Sequence, residues 1–184
     1  MIENKNKFLL YAAVFNMIIL VWLVIYAREL TAFYLLRLAF VITFSYIAML
    51  FDIRQKCIPN NLIIGMLIAW SILITQNMLA DVQTGILHLT DGVLGFFIGG
   101  GVFLAVYLLY RKGLGGGDVK FMAAAGLYLG FSNTIPAILY GSILAALTGL
   151  TLIVLGRITR KDTMPLAPFI FVGIMITVIT SMRS

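Results

Sequence analysis

Residues 61–80, NLIIGMLIAWSILITQNMLA, run for twenty positions without an aspartate, glutamate, lysine or arginine. A helix of that length rises about 30 Å, the thickness of a bilayer's hydrocarbon core. No water reaches backbone groups there, so a segment of this composition crosses as a helix that satisfies its own hydrogen bonds. Comparable apolar segments lie on both sides, at about 8–27, 30–51, 91–110, 119–131, 134–156 and 165–182. The chain of 184 residues is 62% hydrophobic and 11% charged, whereas a soluble domain carries about a quarter charged residues. So many spans leave no room for a second domain. The expected fold is all-α: one polytopic membrane helical bundle over 1–184, with six or seven transmembrane helices.

Two segments need separate treatment. The stretch 119–131 is too short to span alone; it is either a buried half-span or continuous with the next segment around Asn133 and Pro136, hence six or seven. The segment 8–27 follows Lys5 and Lys7 and has no small-residue cleavage pattern before Arg28, so it reads as a retained signal anchor.

Basic residues set the orientation. With the N-terminus inside, Lys5, Lys7, Arg54, Lys56, Arg111, Lys112, Lys120, Arg157, Arg160 and Lys161 fall on the cytoplasmic side, and Arg28, Arg37 and Arg183 outside or near it. This positive-inside bias places 52–60, 111–118 and 157–164 on one cytoplasmic face of an inner or plasma membrane. The net charge of +6 is thereby accounted for by topology and lipid headgroups, and nothing points to nucleic acid.

Most acidic residues have simple places: Glu3 in the N-terminal tail, Glu29 beside Arg28, Asp81 and Asp91 in an outer loop, Asp162 in a basic loop. Asp91 could also cap a helix beginning at Gly92. Asp52 and Asp118 differ. Asp52 abuts the apolar run 38–51, and Asp118 closes a glycine cluster just before another helix, positions where a carboxylate is costly and marks function. The topology brings the two to the same edge. Two adjacent carboxyl groups cannot both ionise cheaply and tend to share a proton, which equips one to activate water and the other to polarise a carbonyl, the chemistry of aspartic peptidases.

The local contexts agree with such a site. In Gly113-Leu114-Gly115-Gly116-Gly117-Asp118-Val119-Lys120-Phe121, four glycines in five positions let an extended substrate approach the backbone. In Asp52-Ile53-Arg54-Gln55-Lys56-Cys57-Ile58-Pro59-Asn60-Asn61, Pro59 interrupts the helix and Asn60 or Asn61 can cap the next one. A third stretch, Met164-Pro165-Leu166-Ala167-Pro168-Phe169, carries two helix-breaking prolines. An Asp followed after six residues by Pro59-Asn60, then Gly115-Gly116-Gly117-Asp118-Val119-Lys120, then this Pro165/Pro168 segment, resembles the prepilin peptidase family of membrane aspartic endopeptidases. In the third motif Ala167 and Leu166 stand where the family has Gly and Phe.

The resemblance covers roughly 40–180 and implies that Asp52 and Asp118 are the catalytic pair. It further implies that Gly115, Gly117, Lys120, Pro59, Asn60, Pro165 and Pro168 shape the site or bind substrate. The substrates implied are prepilin-like precursors, cut on the cytoplasmic side just before their hydrophobic N-terminal helix. Larger relatives methylate the new N-terminus with a region bearing two Cys-x-x-Cys pairs; this sequence has one cysteine, so the expectation is a peptidase without methyltransferase activity.

Cys57 and His88 have no partners that would make a zinc motif, so no metal and no cofactor is expected and chelators should not affect activity. Two other readings of the aspartates are a small proton-coupled transporter or channel, disfavoured because both lie at one face rather than the midplane, and a presenilin-type intramembrane peptidase. The latter would need Tyr before the first Asp, where Phe51 stands, and a terminal Pro-Ala-Leu. Small residues four apart, Gly95/Gly99, Gly126/Gly130 and Gly141/Ala145/Gly149, suit close helix packing within the chain or in a homo-oligomer.

Overall fold

The computed structural model describes residues 12–21, 25, 31–109, 114–159 and 162–182. They form α1 (Ala12–Val21), α2 (Ala32–Gln55), α3 (Asn60–Ala80), α4 (Val82–Leu109), α5 (Gly116–Val154) and α6 (Ala167–Ser181), with no strand among the described residues. The helices α2 to α5 are long and apolar enough to cross a membrane, and α1 and α6 are shorter apolar helices. The polytopic all-α bundle expected from the sequence is therefore observed. Large side chains such as Phe97, Ile68 and Leu150 project outward, the arrangement of a bundle whose solvent is lipid. Of the segment read as a signal anchor, only 12–21 and 25 are described; Lys5, Lys7, Arg28, Arg111, Lys112, Arg160, Lys161 and Arg183 lie outside the described residues.

α4 starts nine residues before the sequence boundary. Asp81 is the sole connection between α3 and α4, and its carboxylate accepts the Gln83 N–H at 3.1 Å and the Thr84 N–H at 3.4 Å. Hydrogen bonding from Thr84 and Gln83 holds the Asp81 carboxyl below its ordinary range. The cap satisfies the first orphan donors of α4, so 82–90 is helix rather than an outer loop. Asp91 consequently sits inside α4 and caps no helix at Gly92. His88 is also helical, its ring 4.7 Å from that of Phe33.

α5 is two helices in one. Gly130 has φ 73° and ψ 180°, a conformation essentially restricted to glycine. The break releases the pair that an unbroken helix would join, the Leu127 carbonyl and the Phe131 N–H. Both find other partners. Leu127 O accepts from Trp70 Nε1 at 3.0 Å and from Arg37 Nη2 at 3.4 Å, and the Phe131 N–H donates to Asp91 Oδ1 at 2.8 Å. Arg37, only 3% exposed, is in turn paired with Asp91 Oδ2 at 3.0 Å. A Cβ on Gly130 would run into the Asp91 carboxylate and the Arg37 guanidinium. The chain therefore runs as helix through Asn133 and Pro136, and the break lies at Gly130; Pro136 is accommodated within the helix, as prolines in membrane helices often are. Arg37, assigned by charge counting to the outer side, is a buried member of this cluster.

The halves run in opposite directions. Along α4, Gly92, Gly95 and Gly99 meet Leu127, Gly126 and Met122 in turn, while Gly141 and Ala137 meet Ile170 and Gly173 of α6. The first half of α5 thus runs antiparallel to α4 and the second half antiparallel to α6. Backbones touch at these contacts: a Cβ on Gly95 would collide with the Gly126 carbonyl, and one on Gly173 with that of Ala137. These small-residue faces serve packing within the chain. The half 116–129 rises only about 20 Å, from the level of Asp52 to that of Arg37.

Candidate active site

Three pieces of chain meet at the end of the bundle where α2 stops. The first is the end of α2 itself. Lys56 adopts a left-handed conformation at φ 50°, and its N–H donates to the Asp52 carbonyl at 2.9 Å, which ends the helix. The Asp52 side chain is left beside the turn, 5% exposed. The second piece is the glycine-rich start of α5. Gly115 takes the N-cap position and Asp118 the third helical position, where its Oδ2 accepts the Gly115 N–H at 3.1 Å. This is the returning half of a capping box, with a carboxylate at a helix N-terminus where the dipole favours it. The third is the segment 163–167 leading into α6. The Ala167 N–H donates to Asp52 Oδ2 at 2.9 Å, and the Thr163 carbonyl accepts from Lys56 Nζ at 3.3 Å.

Together they enclose a cavity of ≈ 210 Å³, lined by Asp52 and Lys56, by Leu114, Gly115 and Asp118, and by 163–166. The two carboxyl groups, 66 positions apart in sequence, share it. Each is held by one backbone N–H, which fixes its orientation. Asp118 Oδ1 is buried with no hydrogen-bond partner. An unsatisfied buried oxygen is costly and in a cavity wall marks where a ligand or water belongs. Two carboxyl groups on one cavity wall can take a proton from, and give one to, a molecule bound there.

The remaining candidates divide. Pro165 lines the cavity, and Pro168 stands at the start of α6, where a missing N–H is tolerated. Gly117 lies against the turn after α2: a Cβ there would be 3.3 Å from Ile58 Cβ and the Ile58 carbonyl. Gly115 bears directly on the aspartate, since its Cβ would stand 3.0 Å from Asp118 Oδ2. Pro59 is itself the N-cap of α3, so neither Asn60 nor Asn61 caps that helix; the Asn60 Oδ1 instead accepts from Lys120 Nζ at 3.0 Å. Lys120 thus binds α5 to α3 and lies outside the cavity lining. Sequence reading left two contributors unassigned, the Lys56 ammonium and the Ala167 N–H. Lys56 could be counted only as a topological charge, and a backbone donor leaves no trace in residue type.

Comparisons with known proteins identify relatives of the chain. The model of the type IV leader peptidase family matches residues 38–150. The chain is 31% identical over 149 residues to a prepilin leader peptidase/N-methyltransferase of Escherichia coli, covering 77% of this chain and 60% of that protein. It is 29% identical over 123 residues to the protein of the same name in Bacillus subtilis, covering 66% and 46%. With leader peptidase HopD of Salmonella typhimurium it shares 28% identity over 147 residues, 76% of this chain and 90% of that protein. It spans about half the length of the prepilin leader peptidase/N-methyltransferases it matches. No solved structure matches it.

Proposed function

Because the chain belongs to the type IV leader peptidase family, we propose that it is a membrane aspartic endopeptidase that removes leader peptides from prepilin-like precursors, with Asp52 and Asp118 as its catalytic pair. The observation that carries this reading is the shared cavity: two carboxylates from distant parts of the chain, each oriented by a backbone N–H, face one small space. In the proposed reaction the pair holds one proton. The ionised member takes a proton from a water whose oxygen attacks the scissile carbonyl carbon. The protonated member donates to the carbonyl oxygen. The tetrahedral species then collapses, the C–N bond breaks and the leaving nitrogen takes up a proton. Which aspartate starts protonated is a property of the pair rather than of either residue.

The cytoplasmic side is also proposed. Of the five lysines and arginines among the described residues, Arg54, Lys56, Lys120 and Arg157 belong to the end of the bundle that holds the cavity. Arg37 is buried in its pair with Asp91, so it does not act as a surface anchor. That asymmetry supports a cytoplasmic position for the cavity.

The test is co-expression with a prepilin-like precursor, reading leader loss on a gel. Asp52→Asn and Asp118→Asn should each reduce cleavage by at least about 100-fold, because an amide cannot exchange the proton, while membrane insertion is retained. The double mutant should be no worse than either single. Cleavage retained in either single variant would remove that residue from the pair and with it the aspartic mechanism.

A further inference from the structure

The segment 163–166 runs along the cavity without regular secondary structure. It is tied to the end of α2 on both sides. At its inner end the fully buried Ala167 donates its N–H to Asp52 Oδ2 at 2.9 Å. At its outer end the exposed Thr163 offers its carbonyl to Lys56 Nζ at 3.3 Å. Hydrogen bonds from Thr159, followed by the Lys56 charge, hold the neighbouring Asp162 carboxyl below its ordinary range. One ammonium therefore bears on both residues at which the segment begins.

Local structure does not call for a lysine at this position. Of the described residues other than glycine, Lys56 alone has a positive φ. Glycine is the common residue where a helix ends in the left-handed region, because a Cβ is disfavoured there. It would end α2 with the same bond to the Asp52 carbonyl. Nor does stability account for the side chain. Its bond to Thr163 is exposed, so water can replace either partner and little is gained in the fold. What the side chain alone supplies is a cation on the cavity lining, joined to the opposite wall.

Resting on the peptidase reading, we propose that Lys56 is a positioning residue for peptide-bond cleavage: its ammonium fixes the outer end of the 163–166 segment and so sets the width of the cavity in which the scissile bond must lie against Asp52 and Asp118. The buried start of α6 already secures the inner end. Without the outer tie the wall is free to move away from the aspartates, and a peptide that still binds is held less closely against them.

The full chain in liposomes, cutting a prepilin-like precursor, provides the test. Lys56→Gly removes the ammonium and the disfavoured backbone conformation together. Its melting temperature should hold or rise while kcat falls about 10- to 100-fold, the scale of a misplacement on the order of 1 Å, with KM little changed. Lys56→Met should lose as much, and Lys56→Arg, which keeps a cation with N–H donors, should retain most of the activity. A second measurement compares one folded protein with itself. Lys56→Cys in a Cys57→Ser background should regain kcat when alkylated with 2-bromoethylamine, which rebuilds a lysine-like side chain, and not with bromoethane, which adds the same chain without the ammonium. Full kcat in Lys56→Gly, a loss carried by KM alone, or equal activity of the two alkylated proteins would overturn the proposal. If the unaltered protein cuts no precursor, the peptidase reading falls instead.

Discussion

Asp118 depends on what its neighbours lack. Gly115 supplies the N–H that holds Oδ2, and the space where its side chain would be is the space that carboxylate fills. Gly115→Ala should therefore leave the helix and its insertion intact while displacing the carboxylate. A misplacement on the order of 1 Å can cost about 100-fold in rate, and leader cleavage by purified protein should fall by roughly that factor with its melting temperature little changed. The two aspartates were legible in the sequence because carboxylates at the ends of apolar runs have few structural reasons to exist. The partners that orient them were not. The Ala167 N–H belongs to a residue whose type says nothing of its role, and Asp52 meets it only because α2 and α6 pack side by side.

The break in α5 is the structural decision on which the site's depth rests. Unbroken, α5 would carry Asp118 on a helix of 39 residues, roughly 58 Å long, far beyond any bilayer. With the break, the half bearing Asp118 ends against Arg37 and Asp91. Gly130→Ala should destabilise by at least about 1–3 kcal/mol from its backbone conformation alone. Asp91→Ala removes the acceptor for the Phe131 N–H and the carboxylate that neutralises the buried Arg37, a loss of about 3 kcal/mol. Asp91→Asn keeps an acceptor and should lose less. Thermal unfolding in detergent would establish that order; equal losses for Asp91→Asn and Asp91→Ala would show that the cap contributes nothing. In the sequence, Asn133 and Pro136 draw the eye near the junction of the two segments, since such residues interrupt helices by intrinsic preference. Gly130 looks like one more packing glycine, because its special conformation is imposed by side chains 39 and 93 positions upstream. The start of α4 was missed for a related reason: 82–90 mixes polar and apolar residues like a loop, and the cap at Asp81 makes it helix.

Across the molecule, the arrangement predicts a two-sided labelling pattern. In a Cys57→Ser background, cysteines replacing Arg54 and Arg157 should react with an impermeant reagent from one face only, and one replacing Gln83 from the other. The first two reacting from opposite faces would mean that the second half of α5 does not return, and would take the Pro165 segment away from Asp52. The bundle itself was legible from hydropathy, since twenty uncharged positions admit few structures; how many times α5 crosses was not, because length alone cannot tell a half-span from a kink. The same break bears on how the protein is made. A stretch as short as 116–129 is a poor signal for insertion on its own, and opening its backbone at Gly130 would leave a bare carbonyl and a bare N–H in hydrocarbon. Arg37, Trp70 and Asp91, which take up those two groups, all precede Gly130 in the chain. Synthesis from the N-terminus therefore delivers the receptor before the break. A circular permutant starting at α5 would reverse that order and present the break to lipid first.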